Sequence, residues 1–166
     1  WDILPIKYTL STPVTDGPHE TPKLYSDGIP FISAEAIKKD KIDFSKKRGF
    51  ISEEEHKRFS LKYKPQRGDV YMIKSGATTG NLAIVETDIE FNIWSPLAAF
   101  RPNYDMLVSK FLFYFIATNV AKFTHLNMTS KCLNPQSFII FSFSSTVYGI
   151  KTFSNASLFW EISYSL

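Results

Sequence analysis

Residues 68–85 read GDVYMIKSGATTGNLAIV, and this stretch decides the fold. Val70, Met72 and Lys74 alternate with Tyr71 and Ile73, the period-2 pattern of a β-strand. A six-residue polar loop follows at 75–80, and residues 82–85 resume an apolar run, so the stretch is read as a β-hairpin. A hairpin needs only a tight turn. A loop that offers Lys74, Ser75, Thr78, Thr79 and Asn81 therefore carries a surplus of hydrogen-bonding groups. Gly76 and Gly80 permit close backbone approach, and Lys74, Ser75, Thr78 and Thr79 can donate to phosphate oxygens or base edges. The same composition also suits a loop that merely satisfies its own backbone. The residues leave both readings open.

Upstream, residues 16–22 read DGPHETP and residues 27–33 read DGIPFIS. Pro13, Pro18 and Pro22 remove amide donors and stiffen a loop over 12–22, which would present His19, Glu20 and Thr21 at fixed geometry. A plain turn at Asp16-Gly17 with Thr21 as a local cap is the alternative. Residues 28–33 are expected as a short strand with Ile29, Phe31 and Ile32 in the core. Ser33 is placed to cap a short helix over 34–39, with Glu35 favourable in its first turn. Ser52-Glu53-Glu54-Glu55 has the form of a capping box and predicts a helix over 53–60. Residues 97–100 are expected as a strand ended by Arg101-Pro102, and residues 1–10 as a leading strand or linker. Phe111, Leu112, Phe115, Ile116 and Ala117 recur at helical spacing and predict a long core helix over 108–123. Several short strands with one long and two short helices make the expected class α+β, built on a mixed, strongly twisted β-sheet.

The chain has 166 residues, 44% hydrophobic and 16% aromatic, enough for one domain with a sizeable core and too much for disorder. Its net charge of +3 says little until it is located. Residues 38–67 hold 11 Lys and Arg against 5 Asp and Glu, so this stretch nets +6 and the remainder −3. A local excess of this kind is the footprint of a DNA-binding surface, or else a solvated face. Within it, Lys38, Lys39, Lys46, Lys47 and Arg48 suit phosphate contacts better than base readout. The single cysteine, Cys132, excludes an internal disulfide and fits a reducing cytoplasm. No signal peptide is expected from the first residues, although the start at Trp1 is compatible with processing or trimming. The apolar run at 111–117 is far too short to span a membrane.

Chemistry is hard to place on these residues. The chain lacks G-x-G-x-x-G, G-x-x-x-x-G-K-[ST], H-E-x-x-H and C-x-x-C. Asn134-Pro135 echoes the amino-methyltransferase signature N-P-P-[FY], and Gln136-Ser137 breaks it. Lys74-Ser75-Gly76 matches the K-[ST]-G element of penicillin-recognising enzymes, yet the S-x-x-K they require is missing. His19, His56 and His125 lie in unrelated contexts. No metal, cofactor or catalytic residue is therefore expected.

Taken in order and spacing, the segments at 16–22, 27–33 and 68–85 resemble the target recognition domain of the specificity subunit of type I restriction–modification enzymes. Those domains run from a D-G-x-H-x-T-P-like loop through G-I-P-F-[IV]-S to a G-D-[VL]-hydrophobic-G-A-T-x-G hairpin. The likeness covers roughly residues 10–127, and a K-x-L-N-x-x-x-F-like segment extends it over 131–138. It implies sequence-specific recognition of double-stranded DNA by a non-catalytic domain reading one half of a split target. Partner subunits would do the chemistry: a modification subunit methylating adenine with S-adenosylmethionine, and a restriction subunit cutting with ATP. Two copies would have to pair to read both halves. The side chains whose donors and acceptors suit base edges in the major groove are His19, Thr21, Lys74, Ser75 and Thr79. A non-DNA interaction module, or a fragment of a fused restriction–methylation enzyme, are the alternatives.

The domain is expected over 1–130 and a divergent tail over 131–166. In the tail there are eight Ser and five Phe among 36 residues, and the only charges are Lys131, Lys151 and Glu161. The resemblance implies a proline-bounded strand and then a long polar spacer helix. Residues 138–145, FIIFSFSS, supply neither, which fits a truncated or frame-shifted end or a divergent strand pair.

Overall fold

Val70, Tyr71, Met72 and Ile73 are all fully buried in the computed structural model of the chain, which describes residues 2–38, 40–125 and 139–142. A strand covered on both faces must be apolar on both, so its alternation separates two cores instead of core from solvent. Around it the chain lays down β1 (Asp2–Pro5), β2 (Thr15–Asp16), β3 (Ile29–Ile32), β4 (Ile37–Lys38), β5 (Lys41–Ile42), β6 (Gly49–Ile51) and α1 (Glu53–Ser60). There follow β7 (Val70–Ile73), β8 (Leu82–Ile84), β9 (Asn92–Ile93), β10 (Leu97–Phe100), α2 (Ser109–His125) and β11 (Ile139–Ser142). Single 3-10 turns occur at Ile6–Tyr8, Ala34–Ala36 and Phe44–Lys46.

The class is α+β, as expected. The mixed sheet is realised as four small ones among the described residues. The central sheet is antiparallel, in the order β2-β10-β7-β8. In the second, β3 pairs antiparallel with β6 and parallel with β9. β4 and β5 form a hairpin, and β1 pairs with β11 in the register Ile3↔Phe141. Val70, Met72, Ala98 and Phe100 face a core closed by Leu112, Phe113 and Ile116 of α2. Tyr71, Ile73, Leu97 and Ala99 face the opposite core with Ile32, Phe91 and Ile93. The central sheet is thus held between α2 and the second sheet. That arrangement fixes the loops at its ends.

The hairpin, the strand at 97–100 and both longer helices form where the sequence places them. The helix expected over 34–39 does not. One 3-10 turn forms, and the backbone then turns extended so that Ile37, 3% exposed, pairs with Ile42. Burying a β-branched side chain in a ladder outweighs a marginal one-turn helix. Ser33 caps nothing there; its hydroxyl serves the Glu35 carboxylate instead. At α1 the Ser52 hydroxyl accepts from the Glu55 amide at 3.2 Å, but the expected reciprocal bond is absent. One Glu55 oxygen is buried without a partner, and the other lies 4.0 Å from Arg58. Substituting Ser52→Ala is expected to lower the unfolding free energy by about 1 kcal/mol. The check is a shifted urea midpoint at unchanged slope.

A buried polar hub locks the start of the hairpin. Asp69 is 1% exposed and accepts from Arg101 through Nε and Nη2, both at 2.8 Å, from the Gln66 amide at 2.9 Å, and from the Tyr63 hydroxyl. Burial first, and then the neighbouring Tyr71 and Asp69, push the Tyr63 hydroxyl well above the ordinary tyrosine range. Gly68 precedes it with φ +91°, and a Cβ there would fall 1.7 Å from the Tyr104 hydroxyl. The backbone at Gly68 therefore favours glycine, and Asp69 is required by its hydrogen bonds. Of the tail, residues 139–142 form β11; the rest of 131–166, the proposed boundary at 130, and Lys39 lie outside the described residues.

Candidate nucleic-acid interface

The loop after β2 is seated by a close approach. A Cβ at Gly17 would fall 2.0 Å from the Ile93 carbonyl oxygen, so only glycine lets this loop lie against the end of β9. The following turn, Trp94-Ser95-Pro96, meets the loop side chain to side chain. Ser95 Oγ and His19 Nδ1 are 2.9 Å apart. The Pro96 carbonyl accepts from the Lys74 amide at 2.8 Å, which brings the base of the β7–β8 hairpin to the same place. All three segments quoted from the sequence are thus tied to one another through β9 and its turn.

Asp16 is the centre of this junction. Its Oδ1 accepts from Lys62 Nζ at 2.6 Å, its Oδ2 accepts from Lys74 Nζ, and His19 Nε2 lies 3.2 Å from Oδ2. Partial burial pushes the Asp16 carboxyl up, but the hydrogen bonds and charges of Lys62 and Lys74 outweigh it and hold the group below its ordinary value. The lysine side chains differ in exposure. Lys74 is 19% exposed and Lys62 54%, while His19 is 74% exposed. A cleft of about 220 Å³ opens beside them, lined by Asp16, Arg58 and Lys62 over a floor of Phe59, Tyr63 and Ile93.

The expected site residues separate into groups. His19 and Lys74 meet at Asp16. Thr21 is exposed and its hydroxyl has no partner among the described residues. At the hairpin tip Thr78 is exposed, Ser75 is partly covered, and Thr79 Oγ1 donates to the Gly76 carbonyl at 2.7 Å. Thr79 therefore serves the loop's own backbone. Lys38 and Lys46 are exposed and lie near the Asp43 carboxyl, which the Ser45 hydrogen bonds, first through its hydroxyl, hold below the ordinary range. Lys47 lies over the Phe50 ring at 4.7 Å, and Arg48 over Trp94 at 4.0 Å. Through Trp94 and Ser95, Arg48 is contiguous with His19.

The basic stretch is not uniform. Its later half is matched by carboxylates: Arg58 with Glu20 at 2.9 Å, Lys62 with Asp16, Lys64 with Glu90 at 2.5 Å, and Arg67 with Asp88 at 2.6 Å. In the earlier half, Lys38, Lys46, Lys47 and Arg48 have no carboxylate within 4.0 Å among the described residues, whereas Lys41 pairs with Glu86 at 3.2 Å. Exposed ion pairs are worth about 0–1 kcal/mol, so a polyanion can displace them, but the unmatched cations offer the stronger field. Trp94, Ser95 and Lys62 belong to this junction and were not singled out from the sequence, and Asp16 was read there only as part of its loop. Only their convergence across the fold marks them. No group of His, Cys, Asp and Glu able to hold a metal occurs among the described residues, and no helix there is long and apolar enough to cross a membrane.

No family model matches the sequence, and no curated protein matches it. The fold has counterparts among solved structures. It is similar to the type I restriction–modification S subunit from M. genitalium, with a TM-score of 0.55 at 12% identity, over 83% of this chain and 33% of that one. It is similar to the HsdS subunit from Thermoanaerobacter tengcongensis, with a TM-score of 0.53 at 18% identity, over 84% of this chain and 32% of that one. A third likeness is to a chain from a type I restriction–modification system whose complex assembly and conformational transition have been described, with a TM-score of 0.54 at 18% identity, over 84% and 33%. The chain spans about a third of the length of each. The fold expected from three short sequence blocks is the fold these comparisons show.

Proposed function

We propose that this chain is a DNA target recognition domain of the type I specificity-subunit kind. It reads one half of a split site in double-stranded DNA and performs no chemistry itself. The observation that carries the reading is the meeting of the three resemblance segments at one junction, where Asp16 binds Lys74 and the Gly17 loop rests on β9. Loops gathered at strand ends on a rigid scaffold are how a domain of this size presents base-reading side chains. His19, Thr21, Ser75 and Thr78 are the groups nearest such a surface, and Lys38, Lys39, Lys46, Lys47 and Arg48 supply phosphate contacts. The partners in this reading are an adenine-methylating modification subunit using S-adenosylmethionine and an ATP-dependent restriction subunit, all in the cytoplasm. A second recognition domain, from another copy or another part of a longer chain, reads the other half.

The test is binding of fluorescent duplexes by the purified chain across a salt series. Affinity should fall steeply with salt, because each neutralised phosphate releases counterions. Thr21→Ala should cost on the order of 1–3 kcal/mol on duplexes enriched by the wild-type chain from a randomised library, and much less on the unselected library. Salt-independent binding, or none, would refute the reading.

A further inference from the structure

We infer that Lys74 is a positioning residue, acting through Asp16 to fix Lys62, whose ammonium keeps donors to spare, as the DNA-facing donor of the junction and to hold the His19 ring in place beside it. The inference rests on the recognition reading above and reassigns a residue whose sequence context suggests direct base contact. Its ground is a gradient of exposure along one hydrogen-bonded chain. Lys74 is the inner member, 19% exposed, with its ammonium donating to Asp16 Oδ2 and its amide held by the Pro96 carbonyl. Asp16 is next, 20% exposed. Lys62, at 54%, and His19, at 74%, are the outer members, each bound to Asp16 and each reaching solvent. His19 is also fixed on its other ring nitrogen by Ser95 at 2.9 Å. Both outer side chains thus approach solvent with their geometry set from behind.

Electrostatics makes the arrangement diagnostic. A carboxylate on a surface that binds a polyanion should be unfavourable, and removing it should strengthen binding to any DNA. Asp16 is tolerated because it joins two ammonium groups and leaves the cluster with a net charge of +1, from two lysines and one carboxylate, before His19 is counted. Without it, Lys62 and Lys74 would confront each other as like charges and His19 would keep only Ser95. Affinity for DNA in general should then hold or rise while discrimination falls. A residue that merely contacts phosphate, or merely stabilises the fold, does not separate the two in that direction.

The experiment compares the full-length chain with Asp16→Asn, Lys74→Met, the double variant, and Lys62→Met. The probes are the duplexes most enriched by the wild-type chain from a randomised library, and the unselected library. For Asp16→Asn the ratio of affinities should fall on the order of tenfold, with library binding unchanged or tighter. Lys74→Met should lower the same ratio and leave the salt slope on library DNA unchanged, whereas Lys62→Met should reduce that slope by roughly 0.9. The double variant should be no worse than the worse single one, because both changes break the same link. Additive losses, or a reduced slope for Lys74→Met, would assign Lys74 to the DNA and overturn the inference. A wild-type chain without salt-dependent binding overturns the recognition reading instead, and the inference with it. Should Lys74→Met unfold, as judged by its circular dichroism, Lys74→Gln replaces it in the same cycle with the same two outcomes.

Discussion

Replacing Asp69 with Ala is expected to lower the unfolding free energy by about 3–5 kcal/mol, the cost typical of leaving a buried ionic partner uncompensated. Arg101, with a side chain 17% exposed, would lose both of its carboxylate bonds, the Gln66 amide would lose its acceptor, and the Tyr63 hydroxyl would be left with Tyr71 alone. For a chain of this size each kcal/mol moves the melting temperature by about 2–4 °C, so a drop of roughly 6–20 °C should be seen by calorimetry. Asp69→Asn should fall between, since it keeps the shape and one acceptor oxygen while losing the charge. A loss below about 1 kcal/mol for Asp69→Ala would mean that water repairs the site and that the hub contributes little to the fold.

The second large effect concerns binding. Replacing Lys46, Lys47 and Arg48 together with Ala should flatten the salt dependence of DNA affinity by roughly 0.9 per lost phosphate contact, equally for all sequences. If all three touch phosphate, the affinity lost between 50 and 200 mM salt shrinks by a factor of about 40. These residues are chosen because no described carboxylate lies within ion-pair distance of them. The same substitution at Lys64 and Arg67, which Glu90 and Asp88 already accompany, should do less. Arg48 has a second role that the experiment should separate, because its guanidinium covers Trp94 at 4.0 Å. Arg48→Lys would keep the charge and weaken the stacking. An unchanged slope in the triple variant would return the whole basic stretch to a solvated face.

Elements long enough to show a period were legible in the sequence. The β7–β8 hairpin, the strand over 97–100 and α2 declare themselves by the spacing of apolar residues, and α1 by Ser52. Strands of two residues such as β2, β5 and β9 carry no period and cannot be seen in this way. The misplaced helix after Ser33 shows the converse failure. Local preference at Glu35 and Ala36 was real, but the pairing of Ile37 with Ile42 decided the outcome. The site was half legible for the same reason. Its loops could be found from proline, glycine and polar surplus, whereas its links span long separations: Asp16 to Lys62 is 46 residues and Asp16 to Lys74 is 58. Asp69 looked like part of a motif, and its bond to Arg101, 32 residues away, could not be read from either residue. Nor does a count of charges reveal which of them already have partners.

The two loops of the proposed recognition surface differ in how they are mounted, and the difference bears on what can be rewritten. The hairpin is closed at its neck by two backbone bonds, Gly80 amide to Ile73 carbonyl at 2.8 Å and Ile73 amide to Asn81 carbonyl at 2.9 Å, and its tip at Gly76 faces open space. Side chains at 75, 77 and 78 can therefore be exchanged without strain passing into β7 and β8, whereas Gly76, at φ +107°, and Thr79, bonded to the Gly76 carbonyl, hold the tip's own conformation. The loop over 16–22 has no such freedom, because Gly17 lies directly on the backbone of Ile93. If the chain reads DNA as proposed, redesign of its preference should begin at the hairpin tip as a replaceable cassette and treat the proline-stiffened loop as its fixed frame of reference.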